Sequence, residues 1–216
     1  MQCSTSKTVA YLILSMCSIL SNQTYAEAWS LKKQKHNVSV YSQKTESGYD
    51  QVLAKTQVQA HPLALVALFD DIEACPKWIH NCIKVSILEK VSATESLVNT
   101  FFDAPWPVRD RDMVTYSTTS FINDSVTIEL TDKNQAIPEH TKFVRMKNMH
   151  GIWKATPISN GMTEVSYQGG GDPGGKLPTF LTNRELVNSL YNTLLSLKEI
   201  MPLEKYQPKG AESSSH

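Results

Sequence analysis

Strict alternation of apolar and polar residues runs through the middle of the chain, and it restricts that region to antiparallel sheet. Ile83, Val85 and Ile87 alternate with Lys84 and Ser86, and Val126, Ile128 and Leu130 with Thr127 and Glu129. Val52, Ala54, Thr56 and Val58 alternate with Lys55 and Gln57. Such a period-two pattern gives each strand one dry and one wetter face, the habit of antiparallel rather than parallel sheets. It predicts about nine strands, at roughly 29–35, 37–44, 50–59, 82–91, 95–102, 111–122, 125–132, 142–157 and 162–169.

Two segments follow a helical period instead. His61-Pro62 opens Leu63–Ile72, with proline at a first-turn position. A longer helix is predicted from Leu177-Pro178 to about Ile200, where Leu186, Leu190, Leu194 and Leu197 recur in steps of three and four, flanked by Val187 and Tyr191. No repeat or linker divides the chain of 216 residues, so it holds one α+β domain. One helix covers only part of a nine-stranded sheet, so the sheet must curl on itself or enclose something.

The first 26 residues read differently. Lys7 and the apolar stretch Val9–Leu20 have the form of a secretory signal, with Thr24-Tyr25-Ala26 as the cleavage segment. The apolar run is shorter than the roughly 20 residues a membrane helix needs; the alternative is an uncleaved anchor. The expectation is a periplasmic or secreted protein cut near Ala26, with its domain at 27–207 and a disordered polar tail at 208–216. The chain carries 21 basic and 21 acidic side chains, and only Lys7 leaves with the signal. No basic stripe or run points to nucleic acid.

Cys75 and Cys82 are the cysteines left after processing, seven positions apart in Cys75-Pro-Lys-Trp-Ile-His-Asn-Cys82. In an oxidising compartment such a pair closes a small disulfide loop. A metal site of Cys75, His80 and Cys82 is the alternative; it lacks a fourth ligand nearby and the usual spacing. The run Gly169-Gly-Gly-Asp-Pro-Gly-Gly-Lys176 imitates two nucleotide motifs. Neither context fits: the following helix ends the fold, and Leu177 stands where a phosphate loop has Ser or Thr. The run reads as a glycine-rich turn from the last strand to the last helix. No catalytic motif is present, and His36, His61, His80, His140 and His150 are scattered. No cofactor or enzymatic activity is expected.

The stretch Phe101–Val114, FFDAPWPVRDRDMV, sets four charges between apolar runs. If a strand begins near Val108, Arg109, Arg111, Met113 and Thr115 share one face, and Asp110, Asp112, Val114 and Tyr116 the other. At least one charge then points inward and needs a partner. The expectation is a buried Arg111-Asp112 set, with Arg109-Asp110 at the wet rim.

Pro105-Trp-Pro-Val-Arg-Asp-Arg-Asp-Met113 resembles the Pro-x-Pro…Arg-Asp signature of START (steroidogenic acute regulatory protein-related lipid transfer) domains. Asp172-Pro-Gly-Gly-Lys-Leu-Pro-Thr-Phe-Leu-Thr-Asn183 resembles the segment that leads into that family's C-terminal helix. Asp70–Trp78 lies where the family has an acidic, tryptophan-containing segment. The likeness spans about 50–200. It implies a helix-grip fold, a curved antiparallel sheet around the C-terminal helix with a hydrophobic cavity between them. It further implies a lipid carrier without catalytic activity, holding one sterol, phospholipid or similar molecule and touching membranes transiently, as a monomer. Arg111, Asp112, Trp106, Phe180, Val187 and Tyr191 are the candidate ligand-binding residues. The alternative is a helix-grip enzyme of polyketide cyclase type, using Arg111 with Asp103 or Asp112 in the same cavity.

Overall fold

A computed structural model describes residues 28–209. The predicted signal at 1–26 and positions 210–216 of the predicted tail lie outside the described residues. Ten strands are β1 (Ser30–Lys35), β2 (Val38–Gln43), β3 (Gln51–Gln59), β4 (Cys82–Lys90), β5 (Glu95–Phe102), β6 (Arg111–Ile122), β7 (Ser125–Asp132), β8 (Val144–Arg145), β9 (Lys147–Pro157) and β10 (Met162–Asp172). The helices are α1 (Leu63–Asp70), the single turn α2 (Cys75–Trp78) and α3 (Thr179–Ile200).

The strands build one open sheet in the order β1-β2-β3-β10-β9-β7-β6-β5-β4, antiparallel throughout, with the two-residue β8 beside β6 in parallel. Tight hairpins join β1 to β2 and β6 to β7 through His36-Asn37 and Asn123-Asp124, all four with positive φ. Two consecutive positive φ values match the right-handed twist of the flanking strands, and Asn and Asp tolerate them. The predicted strand 142–157 is broken at Met146, because Arg145 turns inward while Val144 and Arg145 pair with the start of β6.

Helix α3 packs against β2 and β3, and α2 bridges it to β4. Val38 and Val40 of β2, and Val52 and Ala54 of β3, are fully buried there with Leu194 and Leu197 of α3. The concave faces of β5 and β6 have no comparable helical cover. The helix therefore grips one half of the sheet and leaves the other half to wall a space.

The glycine run divides between strand and turn. Gly169, Gly170 and Gly171 belong to β10, where the first two pair with Gly151 and His150 of β9. A Cβ at Gly169 would collide with the His150 carbonyl oxygen, so this close approach needs glycine. The turn is confined to Pro173–Pro178. There Gly174 has φ +72° and lies against the Arg145 backbone, and its N–H donates to Asp172 Oδ1 at 2.8 Å. The turn delivers Asn183 to the β2–β3 connection. Its Oδ1 accepts from the Asp50 N–H, and its Nδ2 donates to Gly48 O and Asp50 Oδ1, each at 3.0 Å. These bonds fix where α3 starts.

Candidate functional site

A cavity of about 740 Å³ lies between the concave face of the sheet and the helices. Alternate residues of β5 and β6 form one wall, among them Val98 and Thr100, and Arg111, Met113 and Thr115. Its innermost part is aromatic. Trp153 stands edge-on to Phe69 at 5.8 Å and to Trp78 at 5.6 Å, and 4.8 Å from the Tyr167 ring. Edge-to-face packing of this kind holds the rings rigidly around the space. Leu186, Leu190 and Thr193 of α3 close the helical side. The volume falls within the roughly 300–1,000 Å³ of sites that hold small ligands.

Among the polar groups facing this space, the Tyr167 phenol is pushed up to about 12 by burial. An unfolded tyrosine ionises near 10, so between about 10 and 12 the unfolded state releases a proton that the folded state keeps. The stability tied to Tyr167 is intact below pH about 10 and is lost as pH rises to about 12. Tyr167→Phe is expected to flatten this alkaline loss, read as thermal melts at about pH 9 and about pH 11. An equally steep loss in the variant would show that the ring is not the cause. The Thr115 hydroxyl is also buried and has no hydrogen-bond partner.

Of the six candidate residues, Arg111 is the one that lines the cavity. It is half-buried, and its Nη1 donates to the Arg109 carbonyl at 2.6 Å. Asp112 is fully buried on the opposite face of β6, and its partner is not Arg111. Arg145 Nη2 meets Asp112 Oδ2 at 2.8 Å and Nε at 2.9 Å. The same guanidinium donates to the carbonyls of Asn134, Ile137 and Pro138, pinning the 133–143 connection against the sheet. The expected Arg111-Asp112 set is thus corrected: strand alternation points neighbouring residues to opposite faces, and the buried pair is Asp112–Arg145.

Of the Arg109-Asp110 pair, Arg109 is exposed and donates to Thr141 O and Phe143 O, while Asp110 is partly buried and accepts from the Ala104 N–H. Trp106, at 92% exposure, and Phe180, at 69%, stand in solvent outside the cavity. Tyr191 is in the core, where its hydroxyl meets His36 Nδ1 at 2.9 Å and Lys33 Nζ sits 3.9 Å over its ring. Val187 is partly buried and packs against the same core. Cys75 and Cys82 form a disulfide with Cα atoms 5.9 Å apart, which takes both sulfurs out of the metal set considered with His80.

The cavity residues that sequence reasoning did not single out are mostly apolar. Met113 and Thr115 follow from Arg111 by strand alternation, and that signal was present. Trp153, Tyr167 and Leu130 reach the cavity only through strand order, which a pattern along the chain does not carry. Arg145 has one trace, a charge inside the apolar run Phe143–Met146.

Comparison with known proteins agrees with this geometry. A family model described as START domain matches residues 14–199. An uncharacterized protein of Pseudomonas aeruginosa is 33% identical over 181 residues, covering 83% of this chain and 89% of the relative. The crystal structure of a STAR-related lipid transfer protein from Xanthomonas axonopodis superposes with TM-score 0.73 at 26% identity, over 80% of this chain and 98% of that one. Human StAR-related lipid transfer protein 5 gives TM-score 0.68 at 17% identity, over 82% and 87% of the two chains. The Zhui aromatase/cyclase from a Streptomyces species gives 0.50 at 14% identity, over 70% and 90%. The last two are likenesses of fold alone.

Proposed function

We propose, from the premise that this chain belongs to the START domain family, that it is a non-catalytic carrier holding one apolar molecule in its internal cavity. The family is known for lipid binding, and some members are cyclases. The observation that carries the reading is the cavity of about 740 Å³ walled by Trp153, Phe69, Trp78, Leu130 and Met113. Moving a sterol, a phospholipid or a similar molecule from water into it gains roughly 0.8 kcal/mol per CH₂ buried. Exchange then requires α3 or the Pro173–Pro178 turn to move aside. Vesicles loaded with a fluorescent sterol or phospholipid test this: the protein, working as a monomer, should speed transfer to unlabelled acceptor vesicles. A transfer rate equal to that of vesicles alone would contradict it.

Transient membrane contact is part of the proposal. Pro105 and Val108 line the cavity on either side of exposed Trp106, and Leu177 and Leu181 line it on either side of exposed Phe180. Two exposed aromatic rings thus flank cavity-lining residues, the setting in which an interfacial anchor works. Trp106→Ala and Phe180→Ala together are expected to slow transfer by about tenfold, a loss of roughly 1.4 kcal/mol of membrane attachment. Stability should move by less than about 0.5 kcal/mol. Unchanged transfer would remove these two side chains from the membrane step.

Export is also proposed. The Cys75–Cys82 disulfide supports it, since such bonds persist in the periplasm or outside the cell and are rare in the cytosol. Intact-mass measurement of the native protein should give a chain that starts near Glu27.

The enzymatic alternative asks for an acid and a base placed together. Arg111 and Asp103 both line the cavity but form no ion pair, and Asp112 faces away from it. Transfer or retention of an unchanged molecule, rather than a chemically altered one, separates the two readings.

A further inference from the structure

Charged groups line the cavity as well as apolar ones, and all but one of them are paired or washed by water. Asp71 accepts from Lys205 Nζ and the Tyr206 hydroxyl, each at 2.8 Å, and Glu185 faces His80 Nε2 at 3.9 Å. Asp70, Asp103, Lys90 and Arg184 are exposed. Arg111 is the exception. It is half-buried, and burial pulls its pKa down from the usual arginine value.

A guanidinium carries five N–H donors in a planar fork. One of them is used, on the Arg109 carbonyl, and among the described residues no other group accepts from the rest. The neighbouring carboxylates do not fill the fork: the charge of Asp110 acts on Arg111, opposing the effect of burial, but from beyond ion-pair distance. Asp112 is committed to Arg145 across the strand, and Asp110 Oδ1 accepts from the Ala104 N–H at 3.1 Å. A partly buried cation with four donors that no protein group accepts has room in its fork for the oxygens of a ligand.

Its position says where that ligand comes from. Arg111 is the first residue of β6, in register with Phe102 at the end of β5, and follows the 103–110 segment whose Pro105 and Val108 also line the cavity. From there Met113 and Thr115 run inward along the same face, away from the charge.

We propose that the molecule held in this cavity carries an oxyanion head, a carboxylate or a phosphate monoester, seated in the fork of Arg111, with its apolar tail along Met113 toward Trp153. This rests on the carrier reading above and narrows it from an apolar molecule to an anionic amphiphile. Oxyanions match the guanidinium fork with two parallel hydrogen bonds, which a hydroxyl head cannot do.

The test uses the purified full chain with a neutral apolar fluorophore in its cavity, displaced by dodecanoate, dodecyl phosphate or dodecanol. These share one tail and differ in the head. At least one of the two anions should displace the dye at a concentration roughly tenfold to a hundredfold below that of the alcohol; the tighter one identifies the head as carboxylate or phosphate. Arg111→Leu, checked for an unchanged melting temperature, should bring the three curves together, and Arg111→Lys should keep part of the gap. Equal displacement by all three in the native protein, or a gap that survives Arg111→Leu, would overturn the proposal and leave the carrier reading standing. If Arg111→Leu weakens attachment to anionic vesicles without altering the three curves, the guanidinium reads membrane phosphates and the proposal fails. No uptake of dye or of any of the three would instead sink the carrier reading, and this inference with it.

Discussion

Asp112→Ala is expected to lower the stability of the fold by about 3–5 kcal/mol, because it strands the Arg145 guanidinium in the interior with no counter-charge. For a domain of this size that is a fall in melting temperature of roughly 6–20 °C. The pair is sealed: the two side chains are 1% and 0% exposed, and Asn99 Nδ2 adds a long contact to the same carboxylate oxygen at 3.4 Å. Arg145 also holds three backbone carbonyls of the 133–143 connection, so Arg145→Met should cost a similar amount and loosen that connection to proteolysis. Arg111→Ala should behave differently. Its guanidinium has no carboxylate within ion-pair distance among the described residues, and its loss should cost less than about 1 kcal/mol. A melting temperature for Asp112→Ala within a degree or two of the native protein would contradict this division. So would a larger loss for Arg111→Ala than for Asp112→Ala. The motif Arg-Asp therefore places two unlike parts side by side, one facing the cavity and one locking the sheet.

Filling the cavity should have the largest effect on function. Val98 stands on the concave face of β5, opposite Thr115 of β6, in the middle of the wall. Val98→Trp projects an indole into the space a ligand tail needs. Lipid uptake from vesicles is expected to fall at least about tenfold, since the ligand would have to give up more than roughly 1.4 kcal/mol of burial. Overpacking a dense core costs about 1–3 kcal/mol, but here the added ring enters open volume, so the melting temperature should hold or rise. Unchanged uptake would place the ligand elsewhere on the molecule. A protein that lost uptake only because it unfolded would show it in the melt.

Much of this architecture was legible along the chain. Alternation in Val52–Val58 and Val126–Leu130 marks strands whose dry faces are buried, because each strand writes its own faces into its own sequence. Hairpin partners are neighbours in sequence and follow from the same pattern. Contacts between distant segments are not written this way. Nothing in Phe143–Met146 announces that Val144 will run parallel to Arg111, and so the Asp112–Arg145 pair, 33 positions apart, was missed. The C-terminal helix shows a second limit. Its leucines form one stripe in sequence, yet Leu194 and Leu197 are sealed within the core while Leu186 and Leu190, packed on the same core, also line the cavity. A hydrophobic stripe records that a face is dry, not whether protein or ligand keeps it so. For the same reason Val187 and Tyr191 read as cavity residues and lie instead against the sheet. Trp106 and Phe180 were legible only as apolar residues beside prolines; their exposure is a property of the turns that carry them.

Mass spectrometry of the organic extract from the native, purified protein tests the central claim most directly. One class of apolar molecule is expected, recovered in amounts comparable to the protein and absent from an extract of Val98→Trp. A protein that is consistently empty, and that takes up nothing from liposomes, would contradict it.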